Sequence, residues 1–534
     1  MPAIGSRACL ACHGAQEGWK RTPHALGVTA LGVSSALQDQ ELVAASWNAG
    51  VYKAFPADGA RTLYFVANFA TGGKDDDHDD DDEHAGGHQG DHGQDSYLAL
   101  ETEPDNWAFK AVLERENGVP VMTLVDNPAS AIVAPSRKFE VALVMGGQGT
   151  TQRFLTRVAA PGNPDVTAHF ALPFKVQFEG SDAAAALDAT RGYFRGDHAS
   201  RWIEVNDDGD VTAFKPPGAK SAFEASCAAC HVLDYRLGRD EPTGFFTAQA
   251  FPASDGIPYG AHGDRHELNV GCEACHGPGN RHRRASSGSG TRPGAFIVNP
   301  RLLSAEREVQ LCTQCHSRIR SNDTFELATR QPIGQEPGRE NQLMRPGTRR
   351  ADWFRYYVTQ RDAEPSLIWE DDLHSDHPHQ QATDHVKSVH YRNRSEFVSC
   401  TDCHGSHARG PVGWARGTQP GEVAAPSTVC VDCHEPSNLG SVAGHARHRS
   451  FASNCTTCHM PRTARDGAGR PGLAGSLGGV LGQFWQGDLS SHVMDVPSRE
   501  NPGVIAAGKT PETAMPIPYT NACGGCHKTD LRGS

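Results

Sequence analysis

The chain of 534 residues has few aromatic residues, no long apolar run and no surplus of basic residues. Aromatic residues make up 7% and hydrophobic residues 38%, which predicts a thin aliphatic core but is too apolar for a disordered chain. No apolar run reaches the length of about 18 residues that a transmembrane helix needs. The formal net charge of −13 argues against nucleic acid as a partner, because phosphate binding requires an excess of lysine and arginine.

Cysteine is absent outside one kind of motif, because all 16 cysteines lie in Cys-x-x-Cys-His pentapeptides. We number these motifs in chain order: motif 1 (Cys9, Cys12, His13), motif 2 (Cys227, Cys230, His231), motif 3 (Cys272, Cys275, His276), motif 4 (Cys312, Cys315, His316), motif 5 (Cys400, Cys403, His404), motif 6 (Cys430, Cys433, His434), motif 7 (Cys455, Cys458, His459) and motif 8 (Cys523, Cys526, His527). This is the attachment motif of c-type haem. Two thiols on one turn form thioethers to the porphyrin, and the adjacent imidazole becomes the proximal iron ligand. The sequence therefore predicts eight covalently bound haems.

Other interpretations of the cysteines explain less. Disulfides would not require a histidine after every second cysteine. Structural zinc needs four ligands at each site and would leave the eight motif histidines unexplained. A thioredoxin-like redox motif would be expected once in a domain rather than eight times.

Haem attachment also predicts the compartment. Covalent haem is added to exported chains outside the bacterial cytoplasm, so we expect a periplasmic or extracellular protein. Motif 1 begins at Cys9, which leaves no room for a signal peptide in this numbering. We interpret this as processing of the chain, not as residence in the cytoplasm.

The uneven spread of the motifs predicts three segments: an N-terminal haem-binding segment (1–30), a β-rich domain (31–220) and a haem-dense domain with seven motifs (221–534). The β-rich domain has seven candidate strands of alternating or continuous apolar residues: Thr62–Asn68, Tyr97–Glu101, Trp107–Leu113, Val119–Val125, Lys138–Met145, Gln152–Val158 and His169–Phe178. Turns are predicted at Asn117–Gly118 and Asn206–Gly209. The fold class that we expect is a multihaem cytochrome c. Its haem-packed region would be mostly irregular or α-helical, with a β-rich sandwich or barrel inserted in it.

Two low-complexity segments have simpler predictions. Residues 75–95 are dominated by aspartate, histidine and glycine, and we expect a solvated acidic loop. The alternative is that its carboxylates and four histidines bind Ca²⁺ or another divalent cation; the histidines are His78, His84, His88 and His92. The glycine-rich stretch Arg465–Gln483 is predicted to be a surface loop.

The remaining histidines decide the chemistry, because an iron with two strong axial ligands transfers electrons whereas an open iron can bind a substrate. Of 27 histidines, eight are proximal and four lie in the acidic loop, which leaves 15 candidates for the distal positions. The candidates with the most suggestive contexts are His24, His262, His266, His282, His379, His385, His390, His407, His445, His448 and His492. A histidine close to a proximal ligand in sequence is expected to bind the iron of a neighbouring haem. His169 and His198 are expected to be structural.

Several of these contexts resemble a known family. The run from motif 1 through Trp19 to His24-Ala25 is similar to the N-terminal motif of multihaem cytochromes related to the tetrahaem electron acceptor of hydroxylamine oxidoreductase. Asn269-Val-Gly-Cys-Glu-Ala-Cys-His-Gly-Pro-Gly-Asn-Arg-His282 resembles a signature of large secreted cytochromes in that group. Further matches are His390-Tyr-Arg-Asn before motif 5, Cys-Thr-Thr-Cys-His-Met-Pro461 and Asn521-Ala-Cys-Gly-Gly-Cys-His. The resemblance implies closely stacked, mostly bis-histidine haems and electron transfer.

Three functions follow from these observations. The first is an electron-transfer protein that passes electrons to redox partner proteins or extracellular acceptors. One form of this hypothesis is a homo-oligomer or a conductive filament. The second is an octahaem oxidoreductase that acts on a small nitrogen or sulfur compound at one open haem. No Cys-x-x-Cys-Lys motif is present, which disfavours a nitrite reductase of the related superfamily. The third is a structural or metal-sequestering role of the β-rich domain and the acidic loop.

Overall fold

The computed structural model describes most of the chain around the first three motifs and parts of the remaining chain. The described residues are 3–44, 48–67, 97–130, 132–147, 151–178, 192–287, 294–318, 320–321, 342–358, 368, 373–375, 377–393, 395, 397–407, 427–431, 433–434, 455–464, 470–477, 480–486 and 489–495. Motif 8, His445, His448 and the loop 75–95 lie outside them.

The largest unit is an antiparallel sheet that is nearly closed into a barrel. Its strands are β1 (Val28–Thr29), β2 (Arg61–Ala67), β3 (Tyr97–Leu100), β4 (Phe109–Glu116), β5 (Val119–Asp126), β6 (Arg137–Gly146), β7 (Thr151–Ala160), β8 (Asn163–Phe178) and β9 (Gly192–Gly196). The order is β3-β2-β4-β5-β6-β7-β8-β9, and β1 pairs with β6. The two end strands, β3 and β9, lie close to each other, which brings the sheet near closure.

The seven candidate strands of the β-rich region are all present as β2 to β8, each shifted by a few residues at its ends. Inward positions alternate with outward ones, as in β4, where Phe109, Ala111 and Leu113 are fully buried. The β4–β5 turn has positive φ at Asn117 (51°) and Gly118 (83°), the conformation that a tight hairpin needs. Aromatic rings fill the interior; Phe65 stacks on Phe109 with ring centroids 4.4 Å apart.

Strands continue beyond the barrel as short antiparallel ribbons. They are β10 (Ile203–Val205), β11 (Val211–Phe214), β12 (Arg236–Arg239), β13 (Phe246–Gln249), β14 (Pro252–Pro258), β15 (Arg265–His266), β16 (Arg320–Ser321), β17 (Tyr357–Val358), β18 (Arg462–Ala464), β19 (Arg470–Leu477), β20 (Val480–Gln486) and β21 (Leu489–Ser490). The pairs are β10 with β11, β12 with β13, β14 with β15, β16 with β17, β18 with β21 and β19 with β20. The β10–β11 hairpin has Gly209 at positive φ, as its turn residues predict.

The α-helices are short. They are α1 (Ser6–Leu10), α2 (Pro23–Leu26), α3 (Gln40–Leu42), α4 (Ala49–Ala54), α5 (Phe223–Ser226), α6 (Ala228–His231), α7 (Cys272–His276), α8 (Asn280–Ser286), α9 (Ala305–His316), α10 (Arg350–Tyr356), α11 (Gln381–His385), α12 (Val389–Arg392), α13 (Cys400–Cys403), α14 (Ser427–Val431) and α15 (Cys455–His459). The 3₁₀ helices are Gly14–Arg21, Ala199–Trp202, Ala219–Ser221 and Pro300–Leu302. Within the described ranges, no helix is long and apolar enough to cross a membrane.

The expected fold class, a mostly irregular or α-helical haem-packed cytochrome with a β insertion, is wrong. The described chain is mostly β, its main body is the barrel, and its longest α-helix, α9, has 12 residues. Across the described residues there is also no group of three or more His, Cys, Asp or Glu side chains arranged to hold a metal ion. The second half of the chain has little hydrophobic periodicity, so its strands were not predicted. Short two-stranded ribbons give too few residues for a clear period, and glycine masks one of them: most of Arg465–Gln483 belongs to the β19–β20 hairpin.

Candidate functional site

Each described motif lies on, or at the end of, a short helical turn. Motifs 3 and 7 span whole helices, α7 and α15, and motif 4 ends α9 at His316. A helical turn puts residues i and i+3 on one side, so the two cysteines face the same way and the histidine follows directly. The 14 cysteines of motifs 1 to 7 are free thiols. Each described motif therefore presents two thiols and an adjacent imidazole within one short segment.

The N-terminal segment is held against motif 3 by a buried carboxylate. Glu273, inside motif 3, accepts hydrogen bonds from the backbone N–H of Ile4 (2.9 Å) and of Gly5 (2.8 Å). In return, the Ser6 hydroxyl accepts from the backbone N–H of Cys272 at 2.9 Å. Farther along, the Trp19 indole donates to the Val270 carbonyl at 3.1 Å. These bonds fix motif 1 beside motif 3, although more than 250 residues separate them in the chain.

Five motif histidines each face a histidine from outside the motifs. The pairs and their ring-centroid separations are His13–His282 (6.2 Å), His316–His24 (6.2 Å), His276–His407 (5.8 Å), His434–His390 (5.9 Å) and His404–His492 (6.0 Å). All five outer members were candidate distal ligands. None of them faces the histidine of the motif that it follows or precedes most closely in the chain. His282, for example, comes six residues after His276 but faces His13 of motif 1.

The spacing of these pairs fits a metal ion between the two rings. A metal–imidazole nitrogen bond is about 2.0 Å long. Because each nitrogen lies about 1.1 Å from its ring centre, two imidazoles on opposite sides of one ion have centres about 6 Å apart. Ordinary aromatic pairs scatter over about 4.5–7 Å, whereas the five pairs fall between 5.8 and 6.2 Å. A haem iron needs only these two protein ligands, since the porphyrin supplies four more, so a cluster of three side chains is not required.

Hydrogen bonds at the far side of the rings leave the correct nitrogen free. Nδ1 of His276 lies 2.7 Å from the Val298 carbonyl, and Nδ1 of His282 lies 2.9 Å from that of Ala295. A carbonyl oxygen only accepts, so Nδ1 carries the hydrogen and Nε2 keeps a lone pair for a metal. Such second partners usually orient metal-binding histidines. His492 has the same arrangement, with Nδ1 3.2 Å from the Ser490 carbonyl.

Burial keeps these imidazoles neutral. It lowers the pKa of His24 to about 4, with neighbouring imidazoles, His316 first, adding to the effect. Burial likewise lowers the pKa of His492 to about 3, and the neighbouring His404 imidazole adds to the effect. Neutral imidazole is the form that binds a metal, so both side chains are ready ligands at neutral pH.

Motif 2 differs from the five paired motifs. Among the described residues, no second imidazole lies at the paired spacing from the ring of His231, whose nearest aromatic ring is that of Phe223 at 6.5 Å. Burial lowers the pKa of His231 to about 4. His379, a candidate distal ligand, lies near enough to His231 for their charges to interact, but it has a left-handed backbone (φ 61°) and makes no ring contact with it.

Within the described part of the chain, three other candidates do not lie at the paired spacing from a motif histidine. His262 is exposed and lies 3.9 Å from the Asp165 carboxylate. His266 packs edge-on against Tyr259 and bonds the Asp264 carbonyl through Nδ1. His385 is buried, but its Nε2 donates to the Val398 carbonyl at 3.0 Å, which occupies the nitrogen that a haem would need.

The histidines expected to be structural lie in the barrel. His169 is buried, and its Nδ1 lies 2.8 Å from the Glu224 carboxylate, which also accepts from Tyr259 at 3.1 Å. His198 lies two residues after β9, just before the 3₁₀ helix Ala199–Trp202, with φ 52°.

Three functional side chains have no signal in the sequence. Asp384 accepts hydrogen bonds from Ser375 and from the segment that carries His492. Glu308 of α9 accepts from the Ser399 hydroxyl and so joins motif 4 to motif 5. Gln381 accepts from His316. Their partners are 9 to 108 residues away, and no motif or period connects them.

No protein-family profile, no curated protein and no solved structure matches the chain.

Proposed function

We propose that the chain binds haem c covalently at its Cys-x-x-Cys-His motifs and works as an electron-transfer protein outside the bacterial cytoplasm, similar to the multihaem cytochromes that its motifs resemble. The five histidine pairs carry the proposal. Each pair combines a motif histidine with an outside histidine, at the spacing that two axial ligands of one iron require. When bound, haem with two imidazole ligands supplies reversible one-electron exchange without an open position for substrate.

In this function the chain would attach the haem, orient the histidine ligands and leave no iron position open for a substrate. The motif thiols would attach the porphyrin, and the paired imidazoles would hold its iron. The Nδ1 hydrogen bonds to Val298 and Ala295 fix the tautomer and the ring orientation. The acidic balance of −13 favours basic redox partners.

Counting haems and measuring their spin state test the proposal. The protein is produced in a bacterium that attaches haem c, and the haem content is measured as the pyridine haemochrome. We expect eight haems in each chain and electron paramagnetic resonance spectra dominated by low-spin ferric haem. A chain that is exported with intact thiols and carries no haem would contradict the proposal.

A second function, an oxidoreductase acting on a small nitrogen or sulfur compound, is favoured by one observation. His231 has no partner imidazole at axial spacing among the described residues. The iron at motif 2 would then have a position for an exogenous ligand. One high-spin haem that changes on addition of cyanide or nitric oxide, and that is lost in a His231→Ala variant, would support this function. A wholly low-spin spectrum would argue against it.

A further inference from the structure

The acceptor of the His316 ring differs in kind from the acceptors of two other motif histidines, His276 and His459. Nδ1 of His276 and of His459 bonds backbone carbonyls, at Val298 (2.7 Å) and Asp495 (3.0 Å). Nδ1 of His316 instead lies 3.1 Å from the side-chain oxygen of Gln381. Backbone carbonyls are the same in every residue type, whereas a side-chain acceptor can be varied by substitution. His316 is thus a motif histidine whose electronic environment depends on the identity of one side chain.

Motif 4, which contains His316, lies where other motifs meet. Helix α9, which ends in motif 4, contacts α6 of motif 2 and α13 of motif 5, and the thiols of Cys315 and Cys312 lie close to those of Cys230 and Cys400, respectively. Cys275 of motif 3 lies close enough to interact electrostatically with both thiols of motif 4. Motif 4 therefore adjoins three other motifs. A change in the reduction potential of its iron would therefore affect electron transfer with the haems at motifs 2, 3 and 5.

We propose that Gln381 sets the reduction potential of the haem at motif 4, as a positioning residue that acts through His316. This inference rests on the proposed function. The Gln381 oxygen accepts the Nδ1 hydrogen, which orients the ring and increases the basicity of Nε2. A more basic axial imidazole stabilises ferric iron and lowers the potential. Helix α9 packs against α11, which begins at Gln381, so the acceptor is held in place by the helix pair.

Two variants move the potential in opposite directions. Gln381→Glu puts a carboxylate on Nδ1, strengthens the bond and adds negative charge, so the ferric form is favoured. Gln381→Leu removes the acceptor, so the ferrous form is favoured. Loss of an outer-shell partner typically changes metal affinity or activity by about 10- to 100-fold, and we take about tenfold for the one-electron equilibrium here. A tenfold change in the one-electron equilibrium corresponds to about 59 mV, downward in the first variant and upward in the second.

The measurement is a redox titration of the fully loaded protein, followed by electron paramagnetic resonance so that individual haems are resolved. Gln310→Leu is the matched control, because Gln310 is buried on the same helix as motif 4 and its side-chain oxygen has no hydrogen-bond partner in the described structure. We expect the control to titrate like the parent, and one haem to shift in each Gln381 variant. Shifts of the same sign in both variants, or none, would overturn the role of Gln381 while the haem count still supported the proposed function. A parent protein without haem would instead contradict the proposed function itself.

Discussion

At the level of single residues, His282 is close to one motif in the chain and to a different motif in space. It lies six residues after His276 in the chain but pairs with His13 at 6.2 Å, and its ring is oriented by the Ala295 carbonyl. We therefore expect His282→Met to change the haem at motif 1 and to leave the haem at motif 3 unaltered. Methionine ligation raises the potential and shifts the low-spin resonance signal of that one haem.

The control for this variant is the partner of motif 3. His407→Met should alter the haem at motif 3, because His407 stacks against His276 at 5.8 Å. If His282→Met changed motif 3, or if both variants changed the same haem, ligation across motifs would be wrong. Assignment to motif 1 or motif 3 is made by deleting the cysteines of one motif and noting which signal disappears.

Asp384 holds the segment that carries His492, another candidate distal ligand. Its buried carboxylate accepts from the Ser491 hydroxyl (2.9 Å), from the His492 backbone N–H (3.2 Å) and from the Ser375 hydroxyl (2.6 Å). Asp384→Ala would leave these donors unsatisfied, at a cost of about 1–3 kcal/mol for each one that stays buried. We expect His492 to leave its place opposite His404, so that one haem becomes high-spin.

Added imidazole distinguishes loss of a ligand from general unfolding. In Asp384→Ala, free imidazole should restore the low-spin spectrum by occupying the position of His492. Ser375→Ala, which removes one hydrogen bond to the carboxylate without touching the His492 segment, should keep all haems low-spin. A low-spin spectrum in Asp384→Ala without imidazole would mean that Asp384 does not position His492.

Among the elements, strands β7, β8 and β9 are joined by a buried ionic cluster. Asp197, just after β9, bonds Arg153 of β7 at 2.8 Å and Lys175 of β8 at 3.2 Å. Burial alone would raise the pKa of Asp197, but Arg153 and Lys175 hold it well below its usual range. Because the folded-state pKa is depressed, the stabilisation is present above the unfolded-state pKa, about 3.9, and is lost as the pH falls below it.

Asp197→Asn should therefore weaken this end of the barrel at neutral pH and remove its loss of stability in acid. Removing one partner of a buried ion pair typically costs about 3–5 kcal/mol. The measurement is hydrogen exchange in β7 to β9 between about pH 3 and 7, corrected for intrinsic exchange. Glu17→Gln, which breaks a surface pair with Lys20, is the control and should change little. Equal protection of Asp197→Asn and the parent at neutral pH would contradict the prediction.

The elements also show what the sequence could and could not predict. Strands β2 to β8 were predictable because alternating burial leaves a period of two, and Asn117–Gly118 marked a hairpin by its turn chemistry. The β19–β20 hairpin was missed because its glycines give no apolar period. Motif spacing identified the attachment positions, but which outside histidine faces which motif depends on tertiary packing. Gln381 had no signal, because its only distinguishing feature is a bond to a residue 65 positions away.

At the scale of the whole molecule, the barrel and the motif region differ in what holds them together. The barrel has its own core, in which Phe55, Phe65, Phe154 and Trp202 are fully buried. The motifs lie on helices of one to three turns, and their histidine pairs join segments that are far apart in the chain. Closing such long loops has an entropic cost, and in our proposal axial ligation offsets it.

Loss of haem should therefore affect the two regions unequally. We expect a variant with the cysteines of motifs 1, 3 and 4 replaced by alanine to retain slow hydrogen exchange in β4 to β8, where the aromatic core needs no cofactor. Peptides covering α7 to α9 should lose their protection, because iron no longer joins His13 to His282, His276 to His407 or His24 to His316. The loaded parent protein is the reference, and hydrogen-exchange mass spectrometry reports both regions in one experiment. Undiminished protection around the motifs would mean that packing and hydrogen bonds such as those of Glu273 hold these segments by themselves, so that the histidine pairs form before any iron binds.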